Sequence, residues 1–287
     1  MGFLVTAKLT ILTGQRYDVI IDAKQPIANY FFRVGTGGGR CDGPNEKINS
    51  QGAIFTYDGA AKLGTPESTE FEQGTGCEDQ DGIVPWIPVR APRPTTPPTQ
   101  LTLTFQPAEP LVFWRVNNEA MFIDWRKPTL QFLQNGTFEL PQNDNGLTIQ
   151  GTPDGKTFAY WVIQNNTPVP HPMHLHGHDF LLLAQGNGTY VDGVTTLGLR
   201  NPTRRDTASV AAGGFIVIAF AVDNPGVWLF HCHIPFHISG GMGVQFLERP
   251  DEILSANGDL TAFDQGCRTW NTFQNATPDF QQFDSGL

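Results

Sequence analysis

Short runs rich in Val, Ile, Thr and Phe, each of strand length and set apart by turn residues, recur along this chain and restrict what it can fold into. Phe3–Ile11, Tyr17–Asp22, Tyr30–Val34 and Ala53–Tyr57 form a first group. A second strand-rich region runs from Leu101 to about Arg249 and includes Thr157–Gln164, Phe180–Ala184, Phe215–Val222 and Trp228–Ile234. Turns such as Asp223-Asn224-Pro225-Gly226 punctuate it. Only Pro250–Asn257 reads as a helix. This pattern predicts an all-β protein built as a sandwich or barrel. Periodicity fades over residues 59–82, and Pro85-Trp86-Ile87-Pro88 through Pro97-Pro98 is an extended, stiff connector. The polar and aromatic stretch 251–287 is expected to wrap over the surface.

Composition narrows the function. A hydrophobic content of 39% is enough to bury a core, which argues against general disorder. A formal charge of −10 argues against nucleic-acid binding, which needs a basic face; otherwise an acidic surface serves solubility. No run of 18 apolar residues is present, so no membrane-spanning segment is expected. Met1–Lys8 reads as a strand rather than a signal peptide. Sequons at Asn135, Asn165, Asn187 and Asn275, all in polar, turn-like contexts, point to a secreted glycoprotein. The glycine run Gly37–Gly39 is a loop, and neither a nucleotide motif nor a Gly-x-Ser-x-Gly elbow occurs.

Histidine carries the chemistry. All seven histidines fall in two windows, His171-Pro172-Met173-His174-Leu175-His176-Gly177-His178 and His231-Cys232-His233-Ile234-Pro235-Phe236-His237. Packing gives no reason for such clustering, whereas metal binding does. Side chains alternate along a strand, so His231 and His233 point one way and Cys232 the other, while His174 and His176 share a face. One tripeptide can then hold metal on both sides of its strand. Cys232, His237 and Met242, evenly spaced, together with the distant His171 supply two imidazoles, a thiolate and a thioether. That is the ligand set of a blue-copper electron-transfer site with methionine as the weak axial ligand. Zinc also takes cysteine and histidine, but it leaves the thioether and the further histidine pairs without a purpose. Metals held by the neighbours of Cys232 would lie on the order of 10 Å from its own, joined by covalent bonds. An electron gained at one metal could thus pass to the others through covalent bonds.

The segments His171–Phe180 and Asp223–Val244 resemble the two C-terminal copper signatures of the multicopper oxidases. Gln15-Arg16-Tyr17-Asp18-Val19 and Asn201-Pro202-Thr203-Arg204-Arg205-Asp206 also look like that family, and Asp284-Ser285-Gly286-Leu287 resembles the C-terminal plug of ascomycete fungal laccases. The resemblance covers nearly the whole chain. It implies Greek-key, cupredoxin-like domains: a partial one over 1–84 (the end of a second domain), a Pro-rich linker over 85–98, a complete third domain over 99–250, and a C-terminal tail over 251–287. Position by position, it implies that His171, Cys232 and His237 bind a type 1 copper with Met242 axial. His174 would bind a type 2 copper and His176, His231 and His233 the type 3 pair, with His231-Cys232-His233 as the electron bridge. His178 matches a histidine the family keeps without using it as a ligand. Trp114 and Phe236 match positions near the substrate pocket; core packing is the alternative for both.

The activity implied is oxidation of phenols or aromatic amines with reduction of dioxygen to water, in a secreted copper-dependent oxidoreductase with four coppers when complete. Met242 departs from the Leu or Phe usual in ascomycete laccases and resembles ascorbate and bilirubin oxidases instead. The family's first domain supplies four more histidines in two His-x-His pairs, and no histidine precedes position 171 here. This chain is therefore expected to hold one complete copper site and half a cluster, and to need that domain as a partner for oxygen reduction. A module with only the type 1 copper, serving electron transfer or binding, is the alternative. A structural β-sandwich with vestigial ligands is a third reading, against which the intact ligand set stands. The resemblance also implies a Cys41–Cys77 disulfide and places the partner of Cys267 in the first domain, a free thiol being the other reading.

Overall fold

The structure, a computed structural model, describes residues 9–35, 51–61, 66, 79–80, 82–108, 111–136, 146–152, 156–277 and 281–287. Packing divides the chain into two compact units, Arg16–Glu78 and a larger one made of Met1–Gln15 with Asp79–Leu287. The smaller unit contains an antiparallel hairpin, β1 (Asn29–Val34) against β2 (Gln51–Thr56). Tyr57 extends its packing, with ring centroids 5.3 Å from Tyr30 and 5.7 Å from Phe55. Tyr17–Asp22 is not a strand. Its Val19, Ile20 and Ile21 have the propensity, but they are exposed and no described strand pairs with them. Residues 3–8 of the expected Phe3–Ile11 strand lie outside the described residues, and residues 9–11 are not in a strand.

The larger unit is a sandwich of two open sheets, not a closed barrel. The first has the order β4 (Val112–Val116), β3 (Thr99–Pro107), β6 (Phe158–Asn165), β11 (Gly214–Ala221), β8 (Phe180–Asn187), β9 (Thr203–Arg205). The second runs β10 (Thr207–Val210), β7 (His171–Leu175), β12 (Gly226–Cys232), β13 (Gly243–Glu248), β5 (Gly146–Ile149). Among the described strands, only β3 with β6 and β13 with β5 pair in parallel.

Period-two alternation decides what each strand buries. On β11, Ile216, Ile218 and Phe220 join Trp161 and Ile163 of β6 and Phe230 and Cys232 of β12 in the core between the sheets. The alternate residues Phe215, Val217 and Ala219 pack on the other side with Val162, Leu181, Leu183 and Ala91. Both faces of β11 are therefore covered, which explains its unbroken apolar run. Trp161 anchors the core, its ring 5.0, 5.4 and 5.2 Å from Phe220, Phe230 and Phe246, each edge-on.

Four helices complete the described structure: α1 (Thr129–Gln134), α2 (Pro235–Ser239), α3 (Pro250–Asn257) and α4 (Thr261–Ala276). Helix α3 falls where the sequence places it, opened by Pro250 with Asp251 and Glu252 in its first turn. Helix α4, 16 residues long, corrects the expectation that Pro250–Asn257 alone is helical. Phe263, Cys267, Trp270 and Gln274 recur at helical spacing on its half-buried side, but the Thr- and Asn-rich background masks the period. No described helix is long and apolar enough to cross a membrane. Cys41 and Cys77 lie outside the described residues, and Cys267 is a free, half-buried thiol.

One sequon is also corrected. Asn165 is fully buried, and its amide donates to the carbonyls of Val169 and Ala211 at 2.8 and 2.9 Å, so it is closed to glycosylation in the folded protein. Asn135, Asn187 and Asn275 are exposed.

Candidate metal centre

Strands β7 and β12 are antiparallel neighbours, and their register sets His231 opposite His174 and Cys232 opposite Met173. Met173, Leu175, Phe230 and Cys232 turn into the core, so His174 and His231 turn out. Two donor groups result, His171 with Cys232 and His237, and His174 with His176 and His231, the donor atoms of each within 4.8 Å of one another.

In the inward group, Cys232 Sγ lies 3.6 Å from His171 Nδ1 and 3.5 Å from His237 Nδ1. The two Nδ1 atoms are 3.0 Å apart. The other nitrogen of His171, Nε2, sits 2.7 Å from the Thr167 hydroxyl. Met242 is fully buried beside them; Cys232 N donates to its carbonyl at 3.1 Å, and its own N–H donates to the His237 carbonyl at 3.0 Å. Burial holds His171 at about 3, helped by the neighbouring His237 charge, and holds His237 at about 4. Burial also pushes the Cys232 thiol up to about 12, against a hydrogen bond from the Ile234 backbone. At neutral pH the rings offer lone pairs, and the sulfur keeps its proton until a cation displaces it. Such donors fit copper or zinc.

In the outward group, His176 Nε2 and His231 Nε2 are 2.9 Å apart. His231 Nδ1 lies 2.9 Å from the Cys232 carbonyl, and His174 Nδ1 lies 2.9 Å from the Asp206 carbonyl and 3.0 Å from Thr207 Oγ1. A carbonyl only accepts, so Nδ1 of His174 and of His231 carries the proton and Nε2 is left as donor to a metal. The two faces of β12 thus use opposite ring nitrogens. Burial lowers His231 to about 4, opposed by the Cys232 carbonyl and reinforced by the neighbouring histidines. Burial also lowers His176, reinforced by His174 and His233 and opposed by Asp206. The His233 ring stands 5.6 Å from that of His174 and 5.8 Å from that of His231.

The remaining residues fall around these groups. His178 joins neither; it packs on Phe220 at 5.1 Å, and its Nε2 is 2.8 Å from Oε2 of the fully buried Glu248. Burial disfavours its charge, but the Glu248 carboxylate outweighs this and its pKa is raised. Trp114 stacks on the inward histidines, 3.9 Å from the His237 ring and 5.3 Å from that of His171. Phe236 is 85% exposed, which removes core packing as an explanation for it. Ser285 docks next to α2, with N donating to Ser239 O at 2.8 Å and Oγ to Ile238 O at 2.7 Å. Sequence reasoning assigns no role to Thr167, Thr207 or Glu248; Thr207 and Glu248 reach His174 and His178 from other strands, whereas Thr167 lies only four residues before His171. Asp206 lies within a recognised motif, and its carbonyl, not its carboxylate, contacts His174.

The multicopper oxidase family profile matches residues 93–252, over half of the chain, and also residues 4–60. Laccase-3 of Botryotinia fuckeliana is 41% identical across 81% of this chain and 54% of its own length. A laccase of Neurospora crassa is 36% identical across 96% of this chain and 46% of its own. The crystal structure of a laccase from Botrytis aclada superposes with a TM-score of 0.84 at 31% identity, covering 97% of this chain and 51% of that one. The chain thus spans about half the length of these relatives. On these matches, the chain belongs to the multicopper oxidase family and is a copper-binding protein of cupredoxin-like fold.

Proposed function

We propose that this chain is the C-terminal part of a laccase-like oxidase that draws electrons from phenols or aromatic amines at a type 1 copper and delivers them to a trinuclear cluster where dioxygen becomes water. One observation carries this reading: Cys232 faces inward with His171 and His237 while His231, its neighbour, faces outward with His174 and His176. Bound copper supplies one-electron redox chemistry at both places. His171, Cys232 and His237 would hold the type 1 ion, with the Met242 thioether as a fourth, weaker donor. His174 holds the type 2 ion, and His176, His231 and His233 hold the type 3 pair. Residues His231-Cys232-His233 form a covalent electron route, and the hydrogen bond from His231 Nδ1 to the Cys232 carbonyl adds a second bridge. Trp114 shields the rings of His171 and His237 from water, and the exposed Phe236 offers a face for a small aromatic substrate.

Residues 1–84 are the end of a second cupredoxin domain, 85–98 the linker, 99–250 the third domain and 251–287 the tail. A preceding cupredoxin domain supplies the remaining cluster ligands, bringing the complete oxidase to four coppers. The exposed sequons at Asn135, Asn187 and Asn275 fit a secreted protein. Copper analysis and oxygen uptake test the reading, on this chain alone and joined to that domain. Alone it should hold one tight, blue copper without consuming oxygen; joined, it should hold four and oxidise phenols. A joined protein that keeps one copper and consumes no oxygen is an electron-transfer module instead.

A further inference from the structure

We infer that Asp79 is a positioning residue for the outward-facing histidines, a role that rests on the ligand assignment proposed for His174 and His233. The Asp79 side chain is 4% exposed, and its carboxylate is surrounded by donors. Oδ2 accepts from Ser209 N and from Gln185 Nε2, each at 2.9 Å. Oδ1 accepts from Gln15 Nε2 and lies 3.1 Å from the Arg205 guanidinium. A buried carboxylate saturated in this way is fixed in place.

Two of these donors lead to the metal face. Ser209 belongs to β10, whose register with β7 sets Thr207 opposite His174. Thr207 Oγ1 is 3.0 Å from His174 Nδ1, and the Asp206 carbonyl is 2.9 Å from the same atom. Gln15 Nε2 donates to the Thr207 carbonyl as well, at 3.2 Å. Gln15 also closes a turn through its N–H to Leu12 O at 2.9 Å, and the residue before it, Gly14, abuts His233. A Cβ on Gly14 would lie 2.5 Å from His233 Cδ2. One carboxylate therefore clamps together two segments far apart in sequence, each touching a different outward histidine. Strand β10 is already held to β7 by its own ladder, so the clamp adds register at the histidines rather than the strand itself.

The test is Asp79→Asn in the complete copper-loaded oxidase. The amide turns an N–H toward groups that are all donors, so the clamp breaks while shape is kept. The paramagnetic resonance signal of the copper on His174 should change, and copper in the cluster should bind about 10- to 100-fold more weakly. The blue absorption of the Cys232 site should stay the same. Gln15→Ala, which leaves three donors on Asp79, should give the same change at smaller amplitude and serves if Asp79→Asn does not fold. An unaltered resonance signal and cluster affinity in the variants that fold overturns the inference, as does loss of the blue band in step with the cluster. His174→Ala separates the two layers. If it removes the resonance signal while Asp79→Asn leaves it intact, the Asp79 role alone fails; if it leaves the signal intact, the ligand assignment fails and the Asp79 role with it.

Discussion

Thr167 Oγ1 lies 2.7 Å from His171 Nε2 and donates its own proton to the Val169 carbonyl at 3.0 Å. The hydroxyl can then only accept from the imidazole, which fixes the ring proton on Nε2 and turns the Nδ1 lone pair toward Cys232. Thr167→Val keeps the volume and deletes the acceptor beside a fully buried ring. The copper-free protein should lose about 1–3 kcal/mol of stability. Copper at the Cys232 site should bind about 10- to 100-fold more weakly, with the outward histidines unaffected. Denaturant unfolding and metal competition measure the two effects. Lost stability with unchanged copper affinity would confine Thr167 to the fold.

Burial sets how the inward group responds to pH. The thiol of Cys232 sits at about 12, and the rings of His171 and His237 at about 3 and about 4. Between about pH 4 and about pH 12 the incoming ion therefore displaces one proton, from sulfur, and none from the rings. Copper affinity should rise about tenfold per pH unit across that window. Titration calorimetry in buffers of different protonation enthalpy counts the proton at neutral pH. A count near two would mean that one ring is charged in the metal-free protein.

The same depressed values have a consequence for stability. His171, His231 and His237 stay neutral in the folded chain well below the ordinary value of 6.5, whereas the unfolded rings take up protons there. Their contribution is complete above about pH 6.5 and is lost as pH falls toward about 4 and about 3. The denaturant midpoint of the copper-free chain should accordingly drop between pH 7 and pH 4. A midpoint that holds steady would show that these rings are solvated before metal arrives.

The grouping of the histidines is legible in the sequence because period two is a local rule, and β7 and β12 obey it from His171 to Leu175 and from Phe230 to Cys232. The choice of ring nitrogen is not legible. For His174 it depends on Asp206, which only the folded chain brings near, and for His171 on Thr167, four residues away, whose hydroxyl meets the ring through the same turn that ties it to Val169. Residues 17–22 illustrate the converse: β-branched side chains confer strand propensity, but a strand exists only where another accepts its hydrogen bonds. Asn165 likewise matches a sequon, while its place in β6 commits its amide to the interior.

Met242 is buried and linked through backbone hydrogen bonds to both Cys232 and His237. A thioether donates electron density that favours the oxidised ion, so Met242→Leu should raise the reduction potential of the Cys232 copper. The exchange conserves volume and should cost less than about 1.5 kcal/mol in stability. The blue colour should persist, since His171, Cys232 and His237 remain. Redox titration of both forms checks this, and an unchanged or lower potential would reduce Met242 to a packing role.

Gly14 tests the outward group from the opposite side of the strand. Its φ is +84°, and a Cβ there would meet His233 Cδ2 at 2.5 Å and Cγ at 2.6 Å. Gly14→Ala therefore carries two penalties, a left-handed backbone costing roughly 1–2 kcal/mol and a clash that pushes the ring aside. Gly213 separates them, because it has a φ of +63° with nothing within 4 Å of its would-be Cβ. Both alanine variants should lose similar stability from the backbone. In the complete oxidase only Gly14→Ala should release cluster copper, and the blue absorption should survive in both because Cys232 faces the other way. Copper analysis with the visible spectrum reads the difference. Equal copper retention in the two variants would show that His233 yields to the added methyl group without leaving the position proposed for it in the cluster.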